Sequence, residues 1–207
     1  SIEKDGIVIV NDVTLQPTIF HSPEQAFFNL DSACIYDCKF CTSPLLDKSI
    51  CKNLTTDKIV SMIKEASDRP DFKSVAFTSA VARSPEETVD KMIRAVKETR
   101  KVLGTQVPIG VEPYVSTKDD IARLKEAGAD EIKLNIETFD KEIFKKVCGG
   151  LDFEWILEAI KYAVQVFGKG KVASNIIIGL GETDVNALEG VEFLASVGCV
   201  ATLRPLR

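Results

Sequence analysis

The chain has 207 residues, 45% of them hydrophobic and 28% charged, with a formal net charge of −5, a balance that suits one compact domain with a sizeable core and excludes a disordered or fibrous chain. Its 26 basic residues are scattered among 31 acidic ones, which leaves no electrostatic footprint for nucleic acid. The longest apolar runs, such as Val172–Leu180, fall far short of the roughly 20 residues that cross a bilayer, and no charged-then-apolar leader opens the sequence, so a cytoplasmic protein away from membranes is expected.

In chain order, residues 1–25 read as an N-terminal extension, with His21, the only histidine, capping a loop. Ala26–Leu30 (AFFNL) predicts a first strand and Ser74–Thr78 (SVAFT) a second. Ser84-Pro85-Glu86-Glu87 then supplies a capping serine, a proline at the first helical position and a glutamate at the third, ahead of Val89, Met92, Ile93 and Val96 on one face. Val107–Val111 predicts strand three, and Thr117–Gly128 a helix with Ile121, Leu124 and Ala127 inward, closed by a glycine. Strand four is expected over Glu131–Ile136 (EIKLNI). Asp152 opens a helix that carries Trp155 on one face and turns Ile156, Ile160, Ala163 and Phe167 to the core before Gly168. Val172–Ile178 (VASNIII), a helix opened by Thr183 and ending near Gly198, and Cys199–Leu203 complete the series.

Nearly continuous apolar strands are those buried on both faces of a parallel sheet, and strand followed by helix, repeated, implies right-handed crossovers. A doubly wound open sheet and a barrel both fit. A closed eight-stranded barrel takes about 250 residues, so six strands predict a partial (βα)6 TIM-like barrel with a parallel six-stranded sheet over residues 26–207. No helix follows the sixth strand, which predicts a missing C-terminal part. In either architecture reactive groups gather at the carboxyl ends of the strands.

Three of the six cysteines fall within eight positions, in CIYDCKFC from Cys34 to Cys41, immediately after strand one. Three thiolates on a four-iron cubane leave one iron without a protein ligand. A structural zinc site is the competing reading, with Cys51 as the fourth ligand. No secretory signal accompanies Cys51, Cys148 and Cys199, so reduced thiols are expected. Cys148, followed by two glycines, reads as a small buried hydrophobe or as a ligand or hydrogen-atom donor.

Cys34-x3-Cys38-x2-Cys41 after a first strand resembles the signature of the radical S-adenosylmethionine (SAM) superfamily, in the branch like biotin synthase, lipoyl synthase and methylornithine synthase. The resemblance covers about Phe27 to Leu206 and implies a six-stranded partial barrel. It also implies a [4Fe–4S] cluster on the three cysteines, whose open iron chelates SAM and whose electron releases a 5′-deoxyadenosyl radical. Phe40 matches the aromatic residue that lies against the adenine. Thr78-Ser79-Ala80 stands where the family often has a Gly-Gly-Glu-like stretch for the methionine amine, without its acidic residue. Asn135 and Glu137, which alternation places on one face, match the polar pair that holds the ribose hydroxyls. Gly179-Leu180-Gly181-Glu182-Thr183 is similar to the family's glycine-rich fifth-strand stretch: Ile177, Gly179 and Glu182 match, with Asn175 in place of the first glycine.

The resemblance implies an enzyme that abstracts hydrogen from a small biosynthetic intermediate, supplied with electrons by a donor such as ferredoxin or flavodoxin. Glu112 and Tyr114 at the end of strand three and Arg204 at the end of strand six are the polar groups expected near a small carboxylate-bearing substrate. Lyase or mutase chemistry and sulfur transfer both stay open. Sulfur insertion of the biotin or lipoyl type would require an auxiliary cluster from a partner subunit or a missing segment. A zinc-stabilised α/β module without catalysis is the non-enzymatic alternative.

Overall fold

The computed structural model describes residues 24–45 and 55–206 together with the backbone of residues 2–4 and 7–10. Its main sheet has six parallel strands: β1 (Gln25–Asn29), β2 (Ser74–Thr78), β3 (Ile109–Glu112), β4 (Glu131–Lys133), β5 (Val172–Ile178) and β6 (Val200–Pro205). They lie side by side in chain order, β1 next to β2 and so on to β6. A doubly wound sheet would reverse direction at a switch point. Unbroken succession instead produces the curved wall of a partial barrel, the architecture expected from the strand count.

Six helices cover the outside: α1 (Thr56–Ser67), α2 (Pro85–Leu103), α3 (Lys118–Glu126), α4 (Lys141–Val147), α5 (Phe153–Phe167) and α6 (Asp184–Val197). The first turns of α2, α3, α5 and α6 use the predicted caps, each satisfying an amide that the helix itself cannot. Ser84 Oγ accepts from Glu87 N at 3.1 Å, and Asp152 Oδ1 accepts from Trp155 N at 3.0 Å. Thr117 and Thr183 form reciprocal capping boxes with Asp120 and Asn186. Val75, Phe77, Ile109, Val111 and Ile132 on the strands pack, fully buried, with Met92, Val96, Ile121, Leu124 and Ile160 on the helices. Trp155 is anchored at the top of α5 by its indole N–H, which donates to Val115 O at 2.7 Å.

Several boundaries differ from the sequence expectation, with local causes. Strand three begins at Ile109 rather than Val107, because Pro108 has no N–H to donate and the Val107 carbonyl is taken by Arg100 Nη1 at 2.7 Å. Strand six runs on to Pro205 in register with Ile178. Strand four stops at Lys133 rather than Ile136, because side chains replace the ladder. Asn175 N donates to Asn135 Oδ1 at 3.1 Å and Ile136 N donates to Ser174 Oγ at 3.0 Å.

Besides α1, which the sequence reading did not name, two elements escaped it. Helix α4 is seven residues long, too short to show a period, and is started by Asp140 Oδ1, which accepts from the amides of Glu142 and Ile143 at 2.9 Å each. The other is a two-residue antiparallel ladder that pairs Asp37–Cys38 with Cys148–Gly149. In the segment expected as an extension, Ile2–Lys4 and Ile7–Val10 pair as antiparallel strands. Cys51 and His21 lie outside the described residues. Among the described residues no helix is long and apolar enough to cross a membrane.

Candidate functional site

The loop after β1 carries the cysteine triplet and is pinned before it begins. Lys91 Nζ on α2 donates to Leu30 O at 2.8 Å and to Asp31 Oδ1 at 2.9 Å. Ala80 N donates to Asp31 O at 2.9 Å and Ile35 N to Val81 O at 2.8 Å, so the loop rests on the β2–α2 connection. Its middle is held by the ladder to Cys148–Gly149, where Lys39 N donates to Val147 O at 2.8 Å. Close to the end of the triplet, Ser43 N donates to Cys41 Sγ at 3.4 Å, within reach of a sulfur acceptor. Cys34, Cys38 and Cys41 are all half-buried, unlike Cys148 and Cys199, which are buried.

All three line one cavity at the carboxyl ends of the strands, with about 270 Å³ of space for water-sized molecules. Its opposite wall is polar. Asn29, Thr78 and Glu112 stand in register across β1, β2 and β3, and Asn135 and Glu137 follow from the end of β4; every one of these lines the cavity, as do Phe40, Ser79 and Tyr114. Tyr114 packs edge-on against Tyr36, with ring centroids 5.2 Å apart. The Ser79 hydroxyl donates to Ala80 O at 2.9 Å, which leaves its oxygen lone pairs for an incoming donor.

Asn135 ties the wall together, its Nδ2 donating to Glu112 Oε1 at 2.8 Å while its Oδ1 accepts from β5. Beneath it lies Lys133, whose side chain is only 2% exposed and whose Nζ stands 3.5 Å from Glu112 Oε1. Burial pushes its ammonium below the ordinary lysine range, Glu112 opposes that shift, and Arg204 adds to it. The alternation that puts Asn135 and Glu137 on the inner face applies equally to Lys133, so this residue was available to sequence reasoning and was missed. Asn29, at the end of β1, was missed as well; only its register with Thr78 and Glu112 marks it.

Glu137 has the one positive φ among described non-glycine residues, 63°, a conformation that costs about 1–2 kcal/mol for an L-residue. Its backbone holds the position: Glu137 N donates to Asn175 O at 3.0 Å and Ile177 N to Glu137 O at 2.7 Å. Burial and then the Glu112 charge push its carboxyl up to about 8, against the pull of Lys133. Between the ordinary value of 4.5 and about 8, the folded state therefore binds more protons than the unfolded chain. Its stability contribution is full below 4.5 and lost as pH rises through about 8. In cluster-free protein the urea midpoint should fall over that window, and Glu137→Gln should flatten the fall; an equal slope in the variant would show that another group is responsible.

A second lobe of about 400 Å³ opens between β5 and β6, lined by Phe40, Glu137, Asn175, Ile177, Arg204, Pro205 and Leu206. Phe40 and Glu137 border both lobes. Two polar atoms here, Asn175 Oδ1 and Arg204 Nε, are buried and have no hydrogen-bond partner among the described residues. Gly179 and Glu182 stand apart from both lobes. Gly179, at φ 112°, donates its N–H to Glu182 Oε1 at 2.7 Å. Burial works against ionisation of Glu182, but the amides of Gly179, Glu182, Leu180 and Gly181 outweigh it and hold the carboxyl below its ordinary range. Glu182 thus braces the β5–α6 turn and does not face the cavity.

Zinc and an iron–sulfur cluster ask different things of a donor set. A single zinc ion with Zn–S distances near ~2.3 Å draws its thiolates to within about 4 Å of one another, whereas a cubane takes one thiolate at each of several separate irons. The three half-buried thiols on one cavity wall, with an amide directed at Cys41, fit the cluster.

The sequence profile of the radical SAM superfamily matches residues 29–194. The chain belongs to this superfamily, whose enzymes use a [4Fe–4S] cluster and S-adenosylmethionine. It is similar to the lipoyl synthase of Caldanaerobacter subterraneus subsp. tengcongensis, 24% identical over 174 residues that make up 84% of this chain and 60% of the relative. The biotin synthase of Aliarcobacter butzleri is 25% identical over 179 residues, 83% of this chain and 61% of the relative. The crystal structure of methylornithine synthase superposes with a TM-score of 0.76 at 20% identity, over 88% of this chain and 53% of that one, a likeness of fold. The chain spans little more than half the length of the curated relatives it matches.

Proposed function

We propose that this chain is a cytoplasmic radical SAM catalytic domain that reductively cleaves S-adenosylmethionine and directs hydrogen abstraction from a small, carboxylate-bearing biosynthetic intermediate. The observation that carries the reading is the opening of three half-buried thiols and a continuous polar wall onto one cavity at the carboxyl ends of a six-stranded barrel. Cys34, Cys38 and Cys41 would hold the cluster, which when bound would supply the electron for cleavage of the sulfonium. The remaining residues bind and orient. Phe40, between the two lobes, offers an apolar ring to the adenine, with Ile177 on the facing wall and Glu182 bracing the turn after Gly179. Asn135 and Glu137 meet the ribose hydroxyls; a Glu137 carboxyl that holds its proton near neutral pH can donate as well as accept. Thr78 and Ser79 offer oxygen lone pairs to the methionine amine in place of the acidic residue usual there.

Substrate falls to Glu112, Tyr114 and Arg204. An Arg204 guanidinium nitrogen buried without a partner among the described residues is costly to leave unmade, and a substrate carboxylate is the acceptor that satisfies it. Electrons would come from a donor such as ferredoxin or flavodoxin. Sulfur insertion, as the names of the lipoyl and biotin synthase relatives invite, would need a further cluster from a partner subunit or from additional chain, since Cys148 and Cys199 are buried and line neither lobe.

The test is anaerobic reconstitution with iron and sulfide, then incubation with S-adenosylmethionine and dithionite. Protein that absorbs broadly near about 400 nm, carries close to four irons per chain and forms 5′-deoxyadenosine supports the proposal. Iron-loaded protein that forms none would leave an electron carrier or scaffold.

A further inference from the structure

We infer that Cys148 is a positioning residue for the cluster, its thiol donating a hydrogen bond to the sulfur of Cys38 and so making the cluster easier to reduce. The inference rests on the reading that Cys38 is a cluster ligand. Cys148 lies more than a hundred positions from the triplet, and the fold brings it there through the Asp37–Cys38 and Cys148–Gly149 ladder. Because Lys39 N bonds to Val147 O, Cys38 and Cys148 form the non-hydrogen-bonded kind of opposed pair, in which side chains share one face and approach most closely. That pairing sets the two side chains next to each other on one face of the ladder, each thiol facing the other strand.

The two glycines that follow make this register the accessible one. A Cβ on Gly149 would stand 3.1 Å from Asp37 O, and one on Gly150 3.0 Å from Tyr36 Cδ1, where φ is already 85°. Larger residues would push the strand away from the loop. Cys148 itself is 2% exposed, so its S–H has no water to turn to. Once Cys38 is bound to iron it carries no proton, which leaves one direction for the bond: Cys148 donates and the Cys38 sulfur accepts. A donor on a cluster sulfur stabilises the more negative, reduced state, and hydrogen bonds to the sulfurs are among the factors that set cluster potentials.

The test compares wild type, Cys148→Ala and Cys148→Ser after anaerobic reconstitution without S-adenosylmethionine, reading iron content and an EPR-monitored redox titration. All three should bind the same iron. At a fixed potential Cys148→Ala should show about a tenfold lower ratio of reduced to oxidised cluster, about 59 mV for a one-electron couple, and Cys148→Ser, which keeps a donor, should stay near wild type. An unmoved potential in Cys148→Ala sinks the inference alone. Iron lost from both variants would make Cys148 a ligand or a packing element, and the inference fails. Wild type that takes up no iron overturns the underlying reading of the triplet, and the inference with it.

Discussion

Cys38→Ala should lose most of the bound iron on reconstitution, and 5′-deoxyadenosine formation should fall to the background seen without protein. A cubane held by two remaining thiolates presents two unprotected irons and is shed into solution. The fold should survive, because Cys38 is half-buried on a surface loop and the ladder beside it is held by the backbone bond from Lys39 N to Val147 O, which alanine leaves in place. Circular dichroism of the variant should therefore overlay that of wild type. Cleavage at wild-type rates by a folded Cys38→Ala protein would remove the basis for assigning the triplet to the cluster, whatever the family.

Lys133→Ala should destabilise the domain by about 3–5 kcal/mol, the effect of removing one member of a buried ion pair and leaving the other charged and uncompensated. The affected partner is Glu112, whose carboxylate is 16% exposed and 3.5 Å from Lys133 Nζ. Against a typical total of about 5–15 kcal/mol, that loss is large enough to read as a clear drop in the urea midpoint. Adding Glu112→Gln to the variant should restore much of the stability, since a neutral amide can still bond to Asn135. A loss below about 1 kcal/mol would mean that Glu112 is solvated well enough through the cavity to need no counter-ion.

The fold was legible where amino-acid chemistry acts locally. Ser84, Thr117, Asp152 and Thr183 announce helix starts because their side-chain oxygens reach amides two or three residues on. The strands were found by their apolar runs, but their ends are tertiary facts. Nothing near Ile136 says that Ser174, 38 positions away, will take its amide, and only the side chain of Asn135 hints that the ladder with β5 changes hands there.

The candidate site divides in the same way. Asn135 and Glu137 were found by alternation. Lys133 was passed over because lysine ordinarily stays in water, and here Glu112 offsets the cost of its burial. Cys148 could not be placed from sequence, since its neighbour Cys38 is reached through two residues of antiparallel pairing with no periodic signature. Glu182 was found by motif, as the glutamate that in the resembling family braces the turn; its partner there, Gly179 N, and its place apart from both lobes came only from the structure.

Phe40 and Glu137 stand where the two lobes meet, so neither compartment can be reshaped through them without disturbing the other. Diversification of substrate choice on this scaffold, natural or engineered, would have to proceed through residues confined to one compartment, Tyr114 on one side and Arg204 on the other. The shared pair would stay fixed as a hinge of chemistry around which selectivity drifts.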